Sequence, residues 1–271
     1  MNHRLINYLV GIYLFFYLVL WGDANENTWI IIAFVLALIV SGISLTLNWF
    51  SIDGAFSALM VGTAALGLGQ WTGAIPLLLF VAGSYSLSKV LQPHDLDASY
   101  ERRTGRQIWS NGFWFVLGII LWSFTGNPIW LIAAIGAITV AASDTTATLT
   151  GSNNSSIKVV SILNFKPVPA GTDGGVSFIG TFWGFIAALI IPLTATLLNP
   201  DFNWTVLIIL IFAGFSGCIL DSYLGAVFQY SNRAIRLPWN RQRALYFSNN
   251  KVNLIATGWG AGLSLLLYLL I

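Results

Sequence analysis

The stretch Pro169-Ala-Gly-Thr-Asp-Gly-Gly-Val-Ser177 runs without a break into Phe178-Ile-Gly-Thr-Phe-Trp-Gly-Phe-Ile-Ala-Ala-Leu-Ile-Ile-Pro-Leu-Thr-Ala-Thr-Leu-Leu198. The second half is apolar and about as long as a helix must be to cross a hydrocarbon core, roughly 20 residues. The first half is a polar entrance broken by glycines and carrying one aspartate. Paired glycines allow backbone geometries closed to other residues. A carboxylate at the mouth of an apolar segment is costly unless something binds there. The chemistry expected at this entrance is phosphate together with a metal ion.

The rest of the chain has the same apolar character. Of its 271 residues, 56% are hydrophobic and 8% charged, with mean hydropathy +0.77, against about 25% charged in a soluble domain. An all-α polytopic membrane protein is expected. Apolar runs fall at 5–21, 29–48, 53–70, 71–91, 109–125, 128–148, 174–198, 204–229 and 251–271, which makes about nine transmembrane helices. The third opens on Asp53-Gly54 and is rich in glycine and alanine. The first run starts almost at Met1 with no small-residue cleavage site, so it reads as a retained helix. Cys218 is the single cysteine and lies inside an apolar run, which excludes a disulfide or a cysteine-based metal site.

Charge placement orients the spans. With the N-terminus cytoplasmic and the C-terminus outside, residues 1–4, 49–52, 92–108, 149–173 and 230–250 face the cytoplasm. Arg4, Lys89, Arg102, Arg103, Arg106, Lys158, Lys166, Arg233, Arg236, Arg241, Arg243 and Lys251 all fall in or at the edge of that set. The opposite loops hold only Asp23, Glu26 and Asp201, as the positive-inside rule requires. Trp21, Trp29, Trp71, Trp130 and Trp204 read as an outer aromatic belt, and Trp49, Trp109 and Trp239 as an inner one. A short internal duplication is suggested by Asp53-Gly-Ala-Phe-Ser57 against Asp173-Gly-Gly-Val-Ser177.

Four acidic residues then stand at similar depth near the cytoplasmic side: Asp53, Asp144, Asp173 and Asp221. Carboxylates inside a membrane span are functional candidates by default, although Asp53 is equally suited to capping a helix. Gly217, Asp221, Gly225 and Gln229 recur every four residues and share one helix face. Helix packing explains the glycines of that stripe but not Asp221 and Gln229. Asp144, Thr148 and Gly151 share another face, and hydroxyls beside a carboxylate suit Mg²⁺ with phosphate oxygens. Gly171 to Ser177 offers successive amides at a helix start, where anions bind. Arg103, Gln107 and Asn111, with Asn250 and Asn253, add the forks and amides that suit phosphate and nucleobase recognition. The chain lacks a G-x-x-x-x-G-K-[ST] loop, a His-rich cluster, a G-x-S-x-G elbow and the paired aspartate pattern of CDP-alcohol phosphotransferases. His3 and His94 are isolated and expected to be solvated.

Five motifs occur in order: Arg103-x-x-x-Gln107 with Ser110-Asn-Gly112; Ser143-Asp-Thr145; Pro167-Val-Pro-x-Gly-Thr-Asp-Gly-Gly-Val-Ser177; Asp221-Ser-x-Leu-Gly-Ala226 with Gln229; and Asn249-Asn-x-Val-Asn253. The set resembles the integral-membrane phytyl-phosphate kinases of the vitamin E pathway and their relatives, over roughly residues 50–271. The resemblance implies two leading helices in 1–48 and a membrane catalytic domain in 49–271. It implies transfer of a phosphoryl group from a nucleoside triphosphate, CTP, to an isoprenyl monophosphate such as phytyl phosphate, giving the diphosphate. Where relatives usually read Ala-Asp-Thr-Trp-Ala-Ser-Glu-Ile-Gly, this chain reads Ser143-Asp-Thr-Thr-Ala-Thr-Leu-Thr-Gly151, so Leu149 replaces an acidic residue.

On this reading Asp144, Asp173 and Asp221 are catalytic and hold Mg²⁺. Arg103, Gln107, Asn111, Gly171, Thr172, Gly174, Gly175, Ser177, Ser222, Gln229, Asn250 and Asn253 contact nucleotide and phosphate. The partners are then an isoprenyl monophosphate lipid, a nucleotide and the bilayer, with no nucleic acid. The site faces the cytoplasm, in a bacterial-type inner membrane or a photosynthetic one. The alternatives are a secondary transporter, which glycine-broken helices with half-buried carboxylates also suit, and a catalytically inactive lipid-binding relative.

Overall fold

The computed structural model describes residues 2–91, 102–152, 157–230, 235–237, 240–245 and 247–271, so His94, Arg233 and Trp239 lie outside the described residues. Nine α-helices are seen among them: α1 (His3–Phe16), α2 (Ala24–Thr46), α3 (Ile52–Gly67), α4 (Gln70–Leu91), α5 (Gly105–Thr125), α6 (Pro128–Gly151), α7 (Phe178–Leu198), α8 (Trp204–Leu224) and α9 (Asn249–Leu269). Helix α1 runs on into a π-helical turn, Tyr17–Trp21, and α8 into another, Gly225–Tyr230. The strand pairs β1 (Val160–Ser161) with β2 (Gly175–Val176), and β3 (Ile235–Leu237) with β4 (Asn240–Leu245), are short and antiparallel. The protein is an all-α polytopic membrane protein.

Local chemistry sets the helix ends. Asp23 and Glu26 form a reciprocal capping box on α2, and Asn203 caps α8 through its side chain. Asn127 caps α6, with Pro128 at the first helical position, where its missing N–H costs nothing.

Eight helices among the described residues are long and apolar enough to cross a membrane. The ninth, α3, has 16 residues, or roughly 24 Å at 1.5 Å per residue. It is shorter than the expected run 53–70 because Leu68-Gly69 turns directly into α4. Most of α3 is buried among its neighbours, so it need not match the full bilayer thickness.

Helix α6 is the centre of the bundle, with α5, α7, α8 and α9 packed around it. Its middle is apolar on every face, from Leu131 to Ala142, the pattern of a helix surrounded by protein. Small residues let the backbones approach, as membrane helix contacts require. Gly136 of α6 faces Gly260 and Ser264 of α9, where an added Cβ would lie 2.6 Å from the Gly260 carbonyl oxygen. Ser143 ties α6 to α7 by donating to the Gly184 carbonyl at 2.8 Å. Replacing Gly136 by alanine should therefore cost about 1 to 3 kcal/mol of stability through overpacking, read as a lower melting temperature in detergent.

Contacts between helix ends gather at one end of the bundle. His3 Nε2 and the Gly105 amide both meet Asp53 Oδ2, at 3.4 and 2.9 Å, which joins the starts of α1, α3 and α5. Ser177 donates to the Gly151 carbonyl at 3.4 Å, joining the end of α6 to the start of α7. Asn253 meets Asn111 at 3.2 Å, bringing in the start of α9.

Three readings from sequence are corrected. His3 is not solvated but lies largely buried against Asp53. Trp109 is fully buried, not a lipid anchor, and donates to Asn7 Oδ1 at 2.7 Å. Trp49 is buried as well, stacked on Phe50. In contrast Trp21, Trp29, Trp71 and Trp204 are exposed, as a belt requires. Helix α3 packs chiefly on α2, as α7 packs chiefly on α6, and α3 alone of the two also packs on the second helix after it, α5.

Candidate functional site

At the end of the bundle described above lies a polar cleft of about 350 Å³. Asp144 enters it from the last turns of α6, Asp221 from the end of α8, and Asp173 from the segment between α6 and α7. Arg103, Gln107 and Asn111 line it from the start of α5, and Asn253 from the start of α9. Gly171, Thr172, Gly174, Gly175, Ser177, Ser222 and Gln229 also line it. Every residue proposed from sequence for the site is therefore brought to one cavity except Asn250.

Asn250 is the exception because of helix phase. The cleft is lined by Asn249 and Asn253, one turn apart on the same face of α9, while Asn250 is rotated by about 100°. Asn249 is thus the residue that sequence reasoning missed, and its i, i+4 spacing to Asn253 is the signal that would have found it. Thr145, Thr148 and Leu149 complete the α6 wall. Asp53 is not in the cleft. It accepts from the Ser51 hydroxyl at 2.6 Å and from the Gly105 amide of α5 at 2.9 Å, while the cap of its own helix α3 is Ser51.

The glycine-rich entrance also differs from the expectation. Helix α7 starts at Phe178, not at 174, with Ser177 as its cap accepting from the Gly180 amide at 3.1 Å. Residues 171–177 form a folded loop. Gly175 donates to the Thr172 carbonyl at 2.8 Å, and Ile162 to the Gly174 carbonyl at 3.0 Å. The run of free helix-start amides is thereby reduced, because strand β2 and the turn before it engage part of it. The amides of Asp173 and Gly174 have no partner among the described residues.

That loop rests on the π-helical turn after α8. Gly174 has φ +73° and sits so close to Ala226 that an added Cβ would lie 2.5 Å from its backbone nitrogen. Gly225 returns the approach, with the Gly174 amide nitrogen 3.2 Å from where its own Cβ would be. These two glycines seat Asp173 beside Asp221. π-Helical turns recur at functional sites because the widened turn re-aims side chains, and Gln229 on this one lines the cleft. The Gly217–Gln229 stripe therefore divides: Gly217 packs on Val140, and the other three residues face the cleft.

The electrostatics are one-sided. Asp221 is buried, and the charges of Asp144 and Asp173 both act on it. The one ion pair seen among the side chains described, His3 with Asp53, lies outside this group. The Asn253 amide can donate to Asn111 Oδ1 at 3.2 Å or, turned over, to Asp221 Oδ2 at 3.3 Å and the Asn249 carbonyl at 2.9 Å. Gln107 serves its own helix, since its Oε1 accepts from the Thr104 amide at 2.8 Å in a Thr104-x-x-Gln107 capping box. Its NH₂ remains the end able to serve a ligand. The Arg103 guanidinium lies over the Trp49 and Phe80 rings, 5.7 and 5.8 Å from their centroids.

No three His, Cys, Asp or Glu side chains among the described residues are grouped closely enough to cage a metal by themselves. The donor set is nevertheless a hard-oxygen one, with carboxylates from three elements beside the hydroxyls of Thr145 and Thr148. It fits Mg²⁺, which takes one or two protein carboxylates and completes its shell with water and phosphate oxygens.

Helices and cleft together define a multi-span membrane protein with one acidic, amide-rimmed cavity at a single end of its bundle. The chain belongs to the family described as integral membrane protein DUF92, which it matches over residues 35–261. An uncharacterized membrane protein of Methanocaldococcus jannaschii is 32% identical over 167 residues, covering 61% of this chain and 63% of that protein. An uncharacterized membrane protein of Synechocystis is 27% identical over 210 residues, covering 74% of this chain and 75% of the relative. The chain thus matches less than two thirds of the archaeal protein's length. No solved structure gives a significant match.

Proposed function

We propose that the protein is a membrane phosphotransferase that moves a phosphoryl group from a nucleoside triphosphate, CTP, to an isoprenyl monophosphate. The observation that carries this reading is the meeting of Asp144, Asp173 and Asp221 with Arg103, Gln107 and Asn111 in one cleft. Carboxylates brought together from three elements suit a metal-bound polyphosphate, and an arginine with amides suits the rest of it. A secondary transporter would place its site near the bilayer midplane, whereas these groups gather at one end of the helices. The charge pattern of the loops supports a cytoplasmic position for that end.

In the transfer, the bond between the γ-phosphorus and its bridging oxygen breaks and CDP leaves. A terminal oxygen of the isoprenyl phosphate forms the new bond to that phosphorus. The acceptor is already anionic at neutral pH, so no general base is needed. Mg²⁺ held by one or two of Asp144, Asp173 and Asp221 would supply charge neutralisation of the phosphates. Arg103 and the Asn111 and Asn253 amides orient the anionic groups, and the loop 171–177 sets the position of Asp173. Catalysis on this scheme is positioning and electrostatics.

The test is to purify the protein with Mg²⁺, CTP and phytyl phosphate and to follow phytyl diphosphate. Absence of product across a panel of nucleotides and isoprenyl phosphates would sink the proposal. Leu149 supplies a second measurement. It lines the cleft at the position where the phytyl-phosphate kinases that the sequence resembles usually read an acidic residue, so Leu149→Glu should lower the Mg²⁺ concentration for half-activation by about tenfold through added ligand charge. An unchanged Mg²⁺ titration would remove residue 149 from the metal's surroundings.

A further inference from the structure

A second cavity of about 290 Å³ opens between α2 and α4, with α3 as its floor. Its wall is almost entirely apolar, and small side chains make it. Ala37 and Ser41 of α2 lie beside Ala58 and Gly62 of α3, with Ala74 of α4 opposite. A Cβ on Gly62 would be 3.1 Å from that of Ala37, so α2 and α3 are in close contact and the floor lies low. The lips are large and exposed: Leu36 and Val40 on one side, Leu78 on the other, at 43, 44 and 50% exposure. They face the lipid. The far end is closed by Trp71, which meets Trp29 edge-on at 5.9 Å between ring centroids.

The near end is not apolar. It is walled by Arg103, Gln107 and Asn111, the same three residues that wall the polar cleft. The two cavities thus share one side, with an arginine held over aromatic faces at the junction. A molecule filling both must carry an anionic head and a hydrocarbon tail joined end to end.

We infer that the α2–α4 cleft holds the hydrocarbon tail of the lipid phosphate whose head lies in the polar cleft, and that Trp71 limits the length of tail that is gripped. This rests on the phosphoryl-transfer reading for the head alone. The tail enters sideways from the bilayer between Leu36, Val40 and Leu78. The cleft is about twice the size of the ~150 Å³ cavity that holds benzene, which corresponds to about ten to fifteen carbons. A longer tail leaves its remainder in the bilayer.

The experiment uses the full chain in detergent and a phytyl monophosphate carrying a diazirine within about eight carbons of its phosphate, inside the length that the cleft holds. After irradiation, labelled peptides are mapped by mass spectrometry, with and without unlabelled phytyl phosphate or phosphatidylethanolamine as competitor. Label is expected on the α2 and α4 walls, competed by phytyl phosphate and not by the phospholipid. Ala74→Trp, at the Trp71 end, should lower labelling and cut the kcat/KM ratio for phytyl over geranyl monophosphate by about tenfold, and Ala58→Phe, at the Arg103 end, should lower labelling, with the KM for CTP unchanged in both. Label elsewhere, or label competed equally by the phospholipid, overturns the tail site even if diphosphate is formed. Label in the cleft without transfer under any nucleotide upholds the tail site and overturns the phosphoryl-transfer reading. The wild-type map needs no variant, so a substitution that fails to fold leaves the test intact.

Discussion

Asp221→Asn is expected to lower CTP-dependent diphosphate formation by about a thousandfold, the scale of losing one preorganised electrostatic group, without lowering the melting temperature. The two halves of that expectation have one cause. Asp221 is 8% exposed, and two further carboxylates act on it. Three such groups repel one another until a cation or a proton enters. An asparagine of the same shape removes one charge and relieves the repulsion, so the folded state gains while the metal-binding set loses a ligand. A purely structural Asp221 would behave in the opposite way, because breaking a needed buried polar contact destabilises. The measurements are the initial rate of phytyl diphosphate formation, its Mg²⁺ dependence, and the melting transition without ligand. Wild-type turnover by Asp221→Asn would remove this carboxylate from the mechanism. A large drop in melting temperature would make it a packing residue.

The bundle was legible because hydropathy and charge act over whole segments. Nine apolar runs and the one-sided basic residues are readable without knowing any contact. What local pattern could not supply is phase and partner. Residues 249 and 250 are both asparagine, and only the start of α9 decides which of them faces the cleft with Asn253. Trp109 at a span boundary looks like a lipid anchor, but its indole finds Asn7 from α1, about a hundred positions away in sequence. Gln107 was read as a ligand group, although Thr104 three residues earlier spells a capping box. The three carboxylates were legible because charge inside an apolar run is expensive wherever it occurs. The apolar cleft was not legible at all. Its residues read as ordinary lipid-facing or packing positions, and it exists because α2 and α4 stand apart over the small side chains of α3.

Gly174→Ala carries the other large expected effect, at least a hundredfold loss of transfer, and its reason is geometric. The residue has φ +73°, and a left-handed backbone costs an alanine about 1 to 2 kcal/mol. The greater obstacle is Ala226, whose Cα and backbone nitrogen would each lie 2.5 Å from the added Cβ. Both are backbone atoms of the turn after α8 and cannot swing aside like a side chain. The loop must lift off α8, and Asp173 leaves its place beside Asp221. A displacement of about 1 Å is enough to cost a hundredfold where catalysis is positioning. The helices do not depend on this contact, so the melting temperature should fall only slightly. Gly171→Ala is the comparison that isolates the cause. Gly171 has φ +80°, yet nothing lies within 4 Å of its added Cβ. It should bear the backbone cost alone and lose far less activity. Equal losses in the two variants would mean that backbone freedom of the loop, and not its seating on α8, is what holds Asp173 in the cleft.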